Sequence, residues 1–218
     1  MKIALGYILT FGWVFLVLGL TLVLKRRTGA DDELTRKIVH IGVAFAWVPM
    51  YFCFGASWHL VVPPAVFIVL NTVSYQKNLF AAMERTDASK KSLGTVYYAV
   101  SMTVMAAWCL LMPECLVPYG MGLFCMALGD GLAPIFGAIG KGNVRLPGGR
   151  SLYGSLGVFI ICLGVAAAMS GLFGLQFPFW KCLTIAAAAT VLEFIGFKGL
   201  DNLTLPLGVF LLTFYFML

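Results

Sequence analysis

Charge is scarce in this chain. Of 218 residues only 15 are Lys or Arg and 9 are Asp or Glu, while 61% are hydrophobic and the mean hydropathy is +0.96. No water-soluble domain of this size has that balance. Zinc chemistry is missing too. The six cysteines (Cys53, Cys109, Cys115, Cys125, Cys162 and Cys182) form no CxxC pair and no zinc spacing. They lie in or beside apolar runs and read as small hydrophobic side chains. No GxxxxGK[ST] sequence occurs, which excludes a P-loop. There is no internal repeat, long linker or low-complexity tract, and the lack of an inverted repeat weighs against a transporter. A cleavable leader is not expected. The apolar run Ile3–Leu24 is too long for one and ends in Lys25-Arg26-Arg27, the pattern of a retained anchor with its N-terminus outside.

What is present is a series of apolar segments. They predict an all-α, polytopic membrane bundle of seven or eight helices in a single domain, 1–218. The expected spans are 3–24, 37–55, 58–75, 94–112, 115–139, 152–173, 180–197 and 203–218, the last two being short. Residues 1–32 form the first span and a basic stop loop. With the N-terminus outside, every Lys and Arg except Lys2 and Lys181 falls on the cytoplasmic side, as does every acid except Glu114. Trp58, Trp108 and Trp180 fall near outer span ends, as interfacial aromatics do. The net charge of +6 therefore sets orientation in the bilayer and implies no nucleic-acid partner.

Four polar clusters interrupt this pattern. The first is Asp31-Asp32-Glu33-Leu34-Thr35-Arg36-Lys37-Ile38-Val39-His40. Its acids open a helix, and Arg36, Lys37 and His40 share one face. That face is either a set of snorkelling side chains with a core histidine, or a cationic surface for phosphates. The second runs from Arg85 to Tyr98, where Gly94-Thr95 at a helix start places backbone N–H groups toward an anion. The plainer reading of its basic residues is orientation alone.

The third cluster centres on Asp130, in Gly129-Asp130-Gly131, within an otherwise apolar segment from Cys115 to Ile139. A carboxylate there costs several kcal/mol unless held, which marks a functional residue. Pro134 follows by four residues and is expected to break the helix ladder. A glycine-rich basic stretch comes next, with Gly137, Gly140, Lys141, Gly142, Arg145, Arg150 and Ser151, the last an N-cap. A loop of this kind feeding a helix start suits an anion. The plainer reading is a tight turn with close helix packing at Gly154. The fourth cluster holds Glu193, Asp201 and Asn202, the latter two good helix caps. Oxygen donors such as Asp130, Glu193, Asp201 and Asn202 suit Mg²⁺, which takes one or two carboxylates together with phosphate and water.

Taken in order, these clusters resemble the CTP-dependent lipid-alcohol kinases, a family with dolichol kinase, phytol and farnesol kinases and a CTP-dependent diacylglycerol kinase. The resembling pieces are Arg36-Lys37-Ile38-Val39-His40 with Pro49, Gly129-Asp130 through Gly137, the stretch to Ser155, and Glu193 with Asp201-Asn202-Leu203 and Pro206-Leu207. They cover residues 33–207. The resemblance implies transfer of the γ-phosphate of CTP to a long-chain alcohol drawn from the bilayer, with Mg²⁺, at the cytoplasmic face. It implies a catalytic group of Asp130, Arg36, Lys37 and His40. Asp130 serves as metal ligand or orients the acceptor hydroxyl, and His40 orients a carboxylate. Lys141, Gly137, Gly140, Arg145, Arg150, Ser151, Gly154 and Thr95 belong to the nucleotide and its phosphates. Asp130, Glu193, Asp201 and Asn202 belong to the metal.

This chain departs from the pattern at Arg150-Ser151-Leu152-Tyr153-Gly154, where the family often has Lys-[Ser/Thr]-x-Glu-Gly, and at Gly131, where it often has Thr. Two other readings are compatible with the clusters. A CTP:phosphatidate cytidylyltransferase would make a CDP-lipid, but the short loop from Lys198 to Asn202 lacks that family's histidine motif. A lipid or solute transporter would use the intramembrane acids without nucleotide.

Overall fold

The computed structural model describes residues 1–77, 92–139, 144, 146, 150–196 and 199–218. Among these the chain is helical, with no β-strand. The helices are α1 (Lys2–Thr28), α2 (Asp32–Ala44), α3 (Trp47–Phe54), α4 (Val62–Lys77), α5 (Gly94–Leu111), α6 (Leu116–Phe124), α7 (Gly131–Ile139), α8 (Leu152–Phe173), α9 (Phe179–Ile195) and α10 (Asp201–Met217). A π-helical segment, Cys125–Asp130, joins α6 to α7.

Six stretches are long and apolar enough to cross a membrane: Lys2–Thr28, Asp32–Phe54, Trp58–Lys77, Gly94–Leu111, Pro113–Ile139 and Leu152–Phe173. The protein is a multi-pass, all-α membrane bundle. Helices α9 and α10 have 17 residues each. At 1.5 Å per residue that is about 26 Å, short of the roughly 30 Å of hydrocarbon that an upright span crosses. The expected spans 180–197 and 203–218 are therefore the two short members. The residues form two compact units, Met1–Leu116 and Val117–Leu218.

In the first unit, α1 is inverted relative to a helix in water. Its buried residues are Gly6, Thr10, Val14, Leu18 and Thr21, whereas Ile8, Phe15 and Leu20 face outward. Small and polar side chains allow close helix approach while lipid takes the large apolar ones. Lys25, Arg26 and Arg27 complement the C-terminal dipole of α1, and Gly29 closes it in the left-handed conformation at φ 66°. Lys25 then pairs with Asp32 at 2.6 Å. Asp31 caps α2, its Oδ1 accepting from Leu34 N at 2.6 Å.

The expected span 37–55 is interrupted between α2 and α3. Pro49 has no N–H to donate to Phe45 O, so the ladder cannot pass through unbroken. Phe45 N and Ala46 N instead close tight turns on Gly42 O and Val43 O, at 3.2 and 3.0 Å. The unit's core gathers Val14, Leu18, Val39 and Ala46, with Val43 and Phe67 against them.

The second unit is built around the π-helical segment, which packs on α7, α8, α9 and α10. Tyr119, Met121, Leu123, Met126, Val158, Ile185, Leu205, Val209 and Phe210 are buried there. All six cysteines are free thiols, and five are buried, as small hydrophobic side chains would be.

Candidate active site

Asp130 is the last residue of the π-helical segment. The distortion has a covalent cause. In an α-helix the carbonyl of Asp130 would accept from the N–H of residue 134, but Pro134 has none, and its ring crowds that carbonyl. The chain widens by one residue per turn just before the proline, a solution that recurs at functional sites. The sequence-based expectation of a broken ladder is met by this widening, and α7 continues through Pro134.

Oxygen atoms of Asp130, Glu193 and Asp201 all lie within 4.8 Å of one another. Each carboxylate comes from a different helix end: the end of the π-helical segment, the last turn of α9 and the first residue of α10. Glu193 is 6% exposed. Two carboxylates at this spacing repel by roughly 3 kcal/mol or more at an effective dielectric of about 20. Such an arrangement calls for cations.

Arg150 supplies one. Its Nε lies 2.6 Å from Glu193 Oε1, and its Nη2 lies 3.4 Å from Asp201 Oδ2. Nη1 donates to Phe194 O at 2.5 Å and Nη2 to Gly196 O at 2.8 Å. Those carbonyls belong to the end of α9, where the helix itself provides no donors. Arg150 is placed by a short backbone bridge: Leu146 N donates to Arg150 O at 2.8 Å, and Leu152 N to Val144 O at 3.0 Å.

Ser151 is the N-cap of α8, its Oγ accepting from Gly154 N at 3.1 Å. Gly137 and Gly154 both flank that hydroxyl: a Cβ on either would stand 2.9 Å from Ser151 Oγ. Gly196 lets the chain fold back on Asp201, whose Cβ and backbone N would lie 2.6 and 2.7 Å from any Cβ at position 196. Asn202 is buried next to Asp201, whose Oδ1 accepts from Asn202 N at 3.0 Å.

One sequence-based expectation changes here. The last helix starts at Asp201, with Leu200 in the cap position, so Asp201 and Asn202 are not its caps. Gly154, expected among the phosphate-binding residues, donates its N–H to Ser151 Oγ. The guanidinium of Arg150, also expected at phosphate, is held by four protein acceptors. Gly196 and the carbonyl of Phe194 were missed; a glycine just beyond an apolar helical run was their only signal.

The remaining candidates with described positions lie in the first unit. Arg36 pairs with Glu33 at 2.5 Å, one turn away on α2. Lys37 and His40 are buried on the same helix. His40 meets the Tyr98 ring edge-on at 5.0 Å, and Tyr98 Oη donates to the His40 carbonyl at 3.2 Å. Thr95 lies in the first turn of α5, its carbonyl accepting from Asn71 Nδ2 at 2.9 Å. Gly140, Lys141 and Arg145 lie outside the described residues, as do residues 85–91 of the second cluster.

The three-carboxylate donor set fits a hard divalent cation: all its atoms are oxygens, and Arg150 offsets part of their charge.

Comparison with known proteins gives one informative similarity. The phytol kinase of Synechocystis sp. is 29% identical over 191 residues, covering 85% of this chain and 80% of that enzyme. The similarity supports a relation to a lipid-alcohol kinase family. No family profile matches the chain. No solved structure matches it.

Proposed function

We propose that this protein is a membrane lipid-alcohol kinase that transfers the γ-phosphate of CTP to a long-chain alcohol at the cytoplasmic face of the bilayer. The observation that carries the reading is the meeting of Asp130, Glu193 and Asp201 within 4.8 Å in a membrane bundle. The similarity to a phytol kinase over most of the chain supports the same class. Phosphoryl transfer asks the protein mainly for positioning and charge neutralisation. A site whose acids come from three helix ends of an apolar protein supplies both.

Asp130, Glu193 and Asp201 would hold Mg²⁺, with the Asn202 amide completing the polar set; when bound, the ion offsets charge on the nucleotide phosphates. Asp130 also orients the acceptor hydroxyl. Lys141, Arg145 and the glycines beside them in sequence take the phosphates, a role proposed for Lys37 and Arg36 from the family resemblance alone. His40 orients rather than accepts a proton. The alcohol enters from the bilayer with its tail among the helices. CTP enters from the cytoplasm, the side to which all Lys and Arg residues except Lys2 and Lys181 are assigned.

The test uses purified protein in detergent with Mg²⁺ and a panel of phytol, farnesol, a polyprenol and diacylglycerol. Label from the γ position of CTP is expected in the lipid product. Label from the α position in lipid would identify a cytidylyltransferase and end the kinase reading. Lipid or solute flux without nucleotide turnover would point to the transporter.

A further inference from the structure

We propose that Arg150 is a positioning residue, a resident counter-cation of the Asp130–Glu193–Asp201 centre, and that it does not bind nucleotide phosphate. This rests on the reading of those carboxylates as a divalent-cation centre.

The geometry of the guanidinium carries the inference. A phosphate-binding arginine presents a two-pronged edge to its ligand. In Arg150 all three nitrogens are turned inward, Nε to Glu193, Nη1 to Phe194 O, and Nη2 to Gly196 O and Asp201. Its side chain is 16% exposed, and that of Glu193 is 8%. The contacts serve two ends at once. They complete the carbonyls at the end of α9, and they hold two of the three carboxylates on one planar group. Three acids alone would carry −3, and the positive charge of Arg150 offsets part of it. The arginine therefore lowers the attraction of the centre for a cation while keeping the acids together in its absence.

A lysine at this position keeps the charge but reaches fewer acceptors; a glutamine removes the charge. The two substitutions separate electrostatics from geometry. The experiment is Mn²⁺ binding to the full-length protein in detergent, without nucleotide or alcohol, followed by the EPR signal of the free ion. It compares the wild type, Arg150→Gln and Arg150→Lys, with a melting curve for each.

Removing the charge is expected to tighten Mn²⁺ binding by about fivefold or more in Arg150→Gln, whereas Arg150→Lys stays within about twofold of the wild type. Arg150→Gln should also melt lower without metal and gain more from it. A role confined to capping α9 would lower the melting temperature without tightening Mn²⁺ binding. Equal or weaker binding in Arg150→Gln overturns the proposal, as does a lysine variant that binds as tightly as the glutamine one. If Arg150→Gln does not fold, the lysine variant decides: unchanged affinity supports the proposal and a gain of about fivefold overturns it. A wild type that takes up no Mn²⁺ removes both this inference and the cation centre beneath it. A wild type that binds, with Arg150→Gln unchanged, removes this inference alone.

Discussion

Ser151 Oγ lies 2.9 Å from the point where a Cβ atom would stand on Gly137. The hydroxyl that caps α8 thus occupies the space a side chain on α7 would need. Ser151→Ala is expected to cost about 1 kcal/mol through loss of the cap. Gly137→Ala should cost about 1–3 kcal/mol, because the hydroxyl must move and the cap loosens. The costs should not add: Ser151→Ala in the Gly137→Ala background gives the new methyl room. Thermal melts of the four proteins in detergent measure this coupling. Simple additivity would mean the two residues do not meet.

Replacing Asp130 by Asn keeps its shape and removes its charge. For the proposed role the expected loss in kcat is about 100-fold or more, with the melting temperature held or raised because like-charge repulsion is relieved. The check is γ-phosphate transfer from CTP alongside a melt. Full activity in Asp130→Asn would remove this residue from the chemistry.

Gly196→Ala directs a methyl group at the backbone of Asp201, 2.7 Å from its nitrogen and 2.8 Å from its Cα. Backbone cannot rotate aside as a side chain does, so the turn between α9 and α10 must open. A loss of about 1–3 kcal/mol in stability is expected. Mn²⁺ affinity should fall with it, since Asp201 moves from its partners. An alanine variant that melts and binds as the wild type does would show that the turn is loose.

Pro134→Ala returns an N–H to α7, and that donor can reach the carbonyl of Asp130. The exchange favours an ordinary helix by up to about 3 kcal/mol. The variant should be more stable and less active, because the widened turn that aims Asp130 is no longer imposed. Hydrogen exchange at residue 134 and its neighbours, with an activity measurement, checks both halves. Gain of stability with full turnover would separate the widened turn from function.

The membrane helices were legible because the sequence withholds charge: long apolar runs admit few structures besides helices that satisfy their own backbone. Their lengths were less so. The last turn of α9 and the first turn of α10 depend on where Gly196 and Gly199 allow the chain to reverse. Asp130 and Pro134 announced a fault in the ladder, yet a kink and a widened turn share that signal. The carboxylate cluster was legible as a set of residue types at the ends of apolar runs. The pairing of Arg150 with Glu193, Asp201 and two carbonyls was not. It depends on how the end of α9 meets the approach to α8, and no local pattern encodes that.

The π-helical segment also sets the phase of everything after it. One residue more per turn rotates the following helix by about 100° relative to an uninterrupted α-helix. The stretch Cys125–Asp130 therefore behaves as a one-residue insertion absorbed within a single membrane crossing. Deleting Ala127 should straighten the helix and turn Asp130 away from Glu193 and Asp201, whereas a conservative substitution at the same position leaves the phase intact.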